Sequence, residues 1–141
     1  MKKTVSLLLV FVMLFSFAFT VNAQDVSVYI NGEKLEFDVP AKIVNGRTLV
    51  PMRKIFESLG AVVTWDNPSQ TATGKKDGTV VNLTIDSKTM FINGEPKVLD
   101  VGPMLIDSRT LVPVRAVAES FDCKVEWVEK TQSVEITTNE E

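Results

Sequence analysis

The sequence predicts an α+β fold in which antiparallel β-hairpins carry two short helices, arranged as a pseudo-symmetric internal duplication of order β-β-β-α-β-β. Three observations predict it. Arg47-Thr48-Leu49-Val50-Pro51-Met52-Arg53 returns 62 residues later as Arg109-Thr110-Leu111-Val112-Pro113-Val114-Arg115. Asn31-Gly32 and Asn93-Gly94 each follow an alternating apolar segment, the strongest short hairpin signal, because both central turn residues accept positive φ. A proline leads an apolar stripe of helical period in each copy.

The offset of 62 is uniform. Residues 29–74 lie over residues 91–136 without a gap, with identities that include Ile30/Ile92, Glu33/Glu95, Asp38/Asp100, Glu57/Glu119, Val63/Val125 and Trp65/Trp127. Self-similarity at a fixed period identifies a repeated structural unit. The copies cover about residues 26–87 and 88–137.

Each copy opens on a strand, Val26 to Ile30 or Thr89 to Ile92, and turns at Asn-Gly into a return strand from Lys34 or Pro96. Thr48-Leu49-Val50 is β-favouring, and Pro51 and Pro113 stand where a helix would begin, a position that tolerates the missing N–H. Met52, Ile55, Phe56 and Leu59 then share one helical face, as do Val114, Val117, Ala118 and Phe121. Gly60 takes the left-handed position that ends the first helix. Asp122 stands there in the second, which predicts a more strained end. Strand pairs follow around Trp65 and Trp127, and a linking strand from Thr79 to Ile85 joins the copies. Neither copy covers its own helix and hairpins, so residues 24–141 are expected to form a single domain.

The N-terminus reads as a secretory signal. Lys2 and Lys3 precede an apolar run, and Val21-Asn22-Ala23 supplies the small residues of a cleavage site. Cleavage after Ala23 removes residues 1–23 and leaves 118 of the 141 residues. The alternative is a retained anchor, since residues 4–21 are an uncharged stretch at the lower limit of a membrane span. Loss of Lys2 and Lys3 moves the formal net charge from −3 to −5. Such an acidic balance argues against nucleic acid or an anionic membrane as partner. Cys123 is the only cysteine, so no intramolecular disulfide forms, and its alignment with Ala61 predicts a core thiol. Histidine is absent from the chain, which removes the commonest metal ligand and every imidazole-dependent triad. No cofactor is expected.

The Asn-Gly turns, the Arg-Thr-Leu-Val-Pro-x-Arg stretches, the short helices and Trp65-Asp66 together resemble the copper amine oxidase N-terminal domain-like family, also called stalk domains. The resemblance spans about residues 26–137. The chain departs from the family pattern at Asp122, where glycine is usual, and at Val128, where an acidic or polar residue is usual. The resemblance implies a non-catalytic stalk. In the oxidases, copper and the quinone belong to a separate large domain, and copper is held there by histidines that this chain lacks. Similar domains occur in exported proteins of Gram-positive bacteria, often beside cell-wall or hydrolase modules.

Two residue sets carry functional interest beyond the structural motif Arg47, Pro51, Arg53, Trp65, Arg109, Pro113, Arg115 and Trp127. Arg53 and Arg115 sit in the first turn of a helix, where the macrodipole disfavours a cation. Glu57 and Glu119 at i+4 are expected to pair with them, with Asp38 and Asp100 reaching the same guanidinium groups. The structural reading makes these internal bidentate pairs that fix each helix on the sheet, either buried or at the surface; the functional reading makes the arginines an anion site. Trp65 and Trp127 are expected in the core, capping the helix stripe. Their alternative role is a sugar-stacking platform, with Arg47, Arg109, Trp65 and Trp127 contacting an anionic wall polymer.

The sequence therefore predicts an exported, non-enzymatic, stalk-like module at the cell surface or outside it, free of nucleic acid and membrane after cleavage. Its expected partner is cell-wall polymer or another surface protein. The alternatives are a self-assembling protein that pairs hairpin edges and a small carboxylate-dependent glycan hydrolase.

Overall fold

The computed structural model describes residues 26–139. The expected signal segment, its cleavage point after Ala23, and Glu140 and Glu141 lie outside the described residues. Thirteen strands and two seven-residue helices occupy the described chain.

The chain begins with β1 (Ser27–Ile30) and β2 (Glu33–Lys34). They meet at Asn31 and Gly32, both at positive φ, as the Asn-Gly pair predicts. A second two-residue turn, Asn45-Gly46, joins β3 (Lys42–Val44) to β4 (Arg47–Pro51). Helix α1 (Met52–Ser58) follows, then β5 (Val62–Asp66), β6 (Thr71–Lys76) and the linking strand β7 (Thr79–Thr84). After β7 come β8 (Thr89–Ile92), β9 (Glu95–Val98), β10 (Met104–Ile106), β11 (Arg109–Pro113), α2 (Val114–Ser120), β12 (Lys124–Val128) and β13 (Ser133–Thr137). The α+β class stands. Strands β3 and β10 add one strand on each side of β7 to the β-β-β-α-β-β order expected.

Three sheets result, ordered β12-β13-β1-β2, β10-β11-β4-β3 and β5-β6-β7-β8-β9. Hairpins dominate, but β1 pairs in parallel with β13, Val28 opposite Val134, so the first and last strands of the described chain are neighbours. In the central sheet β4 and β11 run antiparallel with Val50 opposite Val112, so the two Arg-Thr-Leu-Val-Pro stretches pair with each other. Alternation then sends Val50 and Val112 to the main core. Leu49 and Leu111 point to the other face and form a second, smaller cluster with Val39 and Val101.

The helices form as their periodicity predicts. Met52, Ile55 and Phe56 are buried on α1, and Val114, Val117 and Ala118 on α2. Isolated helices of seven residues are unstable in water, so this burial holds them. Leu59 and Phe121, one turn on, are buried as well. Pro51 and Pro113 sit one residue earlier than expected. Each is the last residue of its strand and the cap before its helix, with φ of −56° and −66°. A ring-locked φ near −65° suits both roles. Gly60 follows α1 at φ +89° and Asp122 follows α2 at φ +62°, the left-handed position expected at each helix end. Cys123 is buried, as expected of a core thiol, and its Sγ lies 3.8 Å from the Phe121 carbonyl oxygen.

Candidate functional site

Because β4 and β11 are antiparallel neighbours, the start of each strand lies beside the end of the other. Arg47 opens β4 and reaches Asp100, and Arg109 opens β11 and reaches Asp38. Arg109 donates from Nε at 3.0 Å and from Nη2 at 2.8 Å to Asp38 Oδ2. These contacts correct one expectation: Asp38 and Asp100 meet Arg109 and Arg47, not Arg53 and Arg115. The i+4 pairs do form. Arg53 Nη1 donates to Glu57 at 3.3 Å and Arg115 Nη1 to Glu119 at 3.1 Å. Arg115 Nη1 also donates to the Val125 carbonyl at 3.2 Å, which ties α2 to β12.

None of these four pairs is buried. Their side chains keep between 42% and 65% of their accessible surface. Both seven-residue helices turn their apolar stripe to the core, so the arginines on the flank stay in water. Of the two forms the pairs could take, the structure has the surface one. Exposed i,i+4 pairs contribute about 0.3–0.5 kcal/mol, because water competes for both charges. Arg53→Ala is thus expected to change stability by under about 1 kcal/mol, a thermal midpoint within a few degrees of the parent. A loss of about 3 kcal/mol or more, as for a broken buried pair, would contradict this placement.

The Arg109–Asp38 pair does shift ionisation. The hydrogen bonds from Arg109 hold the Asp38 carboxyl below its ordinary 3.8; desolvation opposes this, and the guanidinium charge adds to it. The same hydrogen bonds push Arg109 above its ordinary value. A carboxylate with a depressed folded pKa contributes stability in full above its unfolded value, and loses it as pH falls through the lower folded value. The pair's contribution is therefore complete above about pH 4 and disappears in more acid solution. Carbon-detected NMR titration of the Asp38 carboxyl should give a midpoint below 3.8 that returns towards 3.8 in Arg109→Gln. An identical midpoint in both chains would show that the pair does not persist in solution.

The tryptophans also differ from expectation. By alternation Trp65 and Trp127 share a strand face with buried Val63 and Val125, but both stand near the strand end, at the edge of the core. Trp65 is half-buried against that core, whereas Trp127 keeps 36% of its surface. Their indole N–H groups donate to Asn67 at 3.2 Å and to Glu129 at 3.0 Å, two residues on in each case.

The structure brings these residues together in two clefts. The first, of about 520 Å³, is lined by Arg47, Asp100, Pro113, Arg115 and Trp127 among others. The second, of about 700 Å³, is lined by Arg109, Asp38, Pro51, Arg53 and Trp65. These five pairs stand 62 residues apart in every case. Each cleft takes one arginine of the motif from one half of the chain, and its second arginine and tryptophan from the other. Sequence reasoning named Arg47, Arg109, Trp65 and Trp127 as contacts but did not group them, since the grouping depends on the pairing of β4 with β11. It also missed Lys97 and Val98 in the first cleft and Glu36 and Lys54 in the second. Those four positions differ between the halves, so the repeat gave no signal for them.

Among the described residues no three His, Cys, Asp or Glu side chains are grouped to hold a metal ion. No helix among them is long and apolar enough to cross a membrane. Residues 29–136, more than half of the chain, match the family described as copper amine oxidase N-terminal domain. The Asn-Gly hairpins and the paired Arg-Thr-Leu-Val-Pro strands fall within that match. The chain belongs to the copper amine oxidase N-terminal domain family, whose domain is non-catalytic.

Proposed function

We propose that the protein is an exported, non-catalytic interaction module of the cell surface that binds cell-wall polymer through its two clefts. The observation that carries this reading is the grouping of an arginine, a second arginine and a partly exposed tryptophan in each cleft. An aromatic face stacks on the apolar face of a sugar ring, and guanidinium groups hold carboxylate or phosphate. The signal-like residues 1–23 support delivery outside the cell, and residues 24–141 would then act as one unit. The pairing of β1 with β13, and of β4 with β11, supports an origin by internal duplication in which neither half completes its sheets alone.

Incubation of the mature chain with purified wall material is the direct test. Retention on the wall, with release by salt, is expected from arginine-mediated contacts. Recovery of all the protein in the unbound fraction at low salt would overturn the reading. Self-assembly has one specific observation in its favour: Val62 on edge strand β5 and Leu105 on edge strand β10 are exposed. Light scattering distinguishes it, through a mass that rises with protein concentration. A glycan hydrolase would be recognised by turnover of the wall material in the same incubation.

A further inference from the structure

The chain carries the Asn-Gly pair three times, at Asn31, Asn45 and Asn93. All three are exposed two-residue turns of one backbone shape, with asparagine φ of 51°, 48° and 52° and glycine φ of 86°, 78° and 84°. Asparagine before glycine is open to an internal reaction, because no side chain shields the following peptide nitrogen. A Cβ at Gly32, Gly46 or Gly94 would meet nothing within 4 Å, so that nitrogen is equally open in each turn. The turns differ in what holds the asparagine side chain. Asn31 donates from Nδ2 to Thr138 Oγ1 at 3.0 Å, and its Oδ1 accepts from the Thr138 N–H at 3.1 Å. Asn93 Oδ1 accepts from the Val80 N–H at 2.8 Å. Their backbone N–H groups donate to the Ile136 and Val80 carbonyls, each at 2.8 Å. These bonds form because β1 has β13 beside it and β8 has β7. Strand β3 is instead the edge of the central sheet, and no hydrogen bond holds the Asn45 side chain among the described residues.

We propose that Asn45 is a site of spontaneous deamidation, and that the strands beside Asn31 and Asn93 protect those two. The Gly46 peptide nitrogen attacks Asn45 Cγ and gives up its proton. A C–N bond forms to close a cyclic imide, and the Cγ–Nδ2 bond breaks to release ammonia. Water then opens the ring at either carbonyl, which gives aspartate or isoaspartate. For the attack, the amide must turn back onto its own chain. That turn costs Asn31 and Asn93 their cross-strand bonds and costs Asn45 none. Asn67 is excluded because Pro68 offers no N–H. The aspartate product suits the fold, since the aligned residue of the second half is Asp107, at φ +50° in the corresponding turn. Deamidation thus adds a negative charge beside Gly46 and Arg47, which line the first cleft. The modification holds whether or not the clefts bind polymer.

The test incubates the mature chain in mildly alkaline buffer, folded or in urea, and follows conversion by tryptic digestion and mass spectrometry. The three asparagines fall in separate peptides, residues 24–34, 43–47 and 89–97. The folded chain is expected to convert Asn45 at least about fivefold faster than Asn31 or Asn93, the effect of roughly one hydrogen bond. In urea the three rates should converge, because each asparagine then meets only its own glycine. Thr138→Val removes the Oγ1 acceptor and should speed Asn31 about fivefold, while Asn45 and Asn93 keep their rates. Thr138 lies after the last strand, and circular dichroism checks that the variant is folded. Equal rates in the folded chain would overturn the proposal. So would a lead of Asn45 that persists in urea, or an unchanged Asn31 in Thr138→Val.

Discussion

Phe56→Ala is expected to cost about 3–5 kcal/mol of folding free energy, the range for removing a fully buried aromatic ring. Helix α1 has seven residues and no side-chain cap, so little beyond its buried stripe keeps it folded. Phe56 is fully buried in that stripe, and its ring meets Phe121 edge-to-face at 6.0 Å with an interplanar angle of 80°. Truncation removes the transferred apolar surface, leaves a cavity, and strips Phe121 of its aromatic neighbour. For a chain of this size the thermal midpoint should fall on the order of 10–20 °C. Calorimetry or a circular dichroism melt reads this directly. A shift of only a few degrees would mean that the site collapses around the missing ring, and that the stripe on α1 is less rigid than its burial implies.

That ring was readable in the sequence, and the reason separates what could be read from what could not. The spacing i, i+3, i+4, i+7 is a property of one helix, so Met52, Ile55, Phe56 and Leu59 declare their face without knowledge of anything else. The Asn31-Gly32 and Asn93-Gly94 turns are likewise local, because positive φ at two adjacent residues is a demand that few residue pairs meet. Asn45-Gly46 carries the same signal and betrays β3, a three-residue strand too short to show alternation. Its counterpart before β11 is Asp107-Ser108, also at positive φ but without glycine, so β10 sends no such signal. The linking strand β7 was legible from its length and alternation. The parallel pairing of β1 with β13 was not, because nothing local to either strand selects a partner so distant in the chain.

The candidate site divides along the same line. Arg53–Glu57 and Arg115–Glu119 follow from spacing on a helix and were legible. Arg109–Asp38 lies across 71 residues and needs the register of β4 on β11 before it can be inferred. The tryptophans show a subtler limit. Alternation correctly places them on the core-facing side of β5 and β12, but a residue near the end of that side lies at the margin of the core. Facing inward and being buried are separate properties there. The clefts exist because those two strand ends are left open.

Gly74→Ala is the complementary experiment, and its sign is expected to depend on Phe56. A Cβ at Gly74 would stand 2.5 Å from Phe56 Cδ1 and 3.1 Å from Cζ, too close for a ring that has no exposed side towards which to move. Overpacking of this kind costs about 1–3 kcal/mol. With Phe56→Ala in place the obstruction is gone, and alanine in a strand interior gains about 0.5–1 kcal/mol over glycine. Urea unfolding of the parent, the two single variants and the double variant should therefore give a coupling within the about 0.5–3 kcal/mol range of contacting residues. The double variant would be more stable than Phe56→Ala alone. Additive effects would show that Gly74 answers to the backbone and not to the ring. The aligned positions support the ring. Sixty-two residues on, Phe56 becomes Ala118 and Gly74 becomes Ile136, both buried in the same core. The large side chain has moved from helix to strand, and a core filled to native density accepts that exchange only when both positions change together.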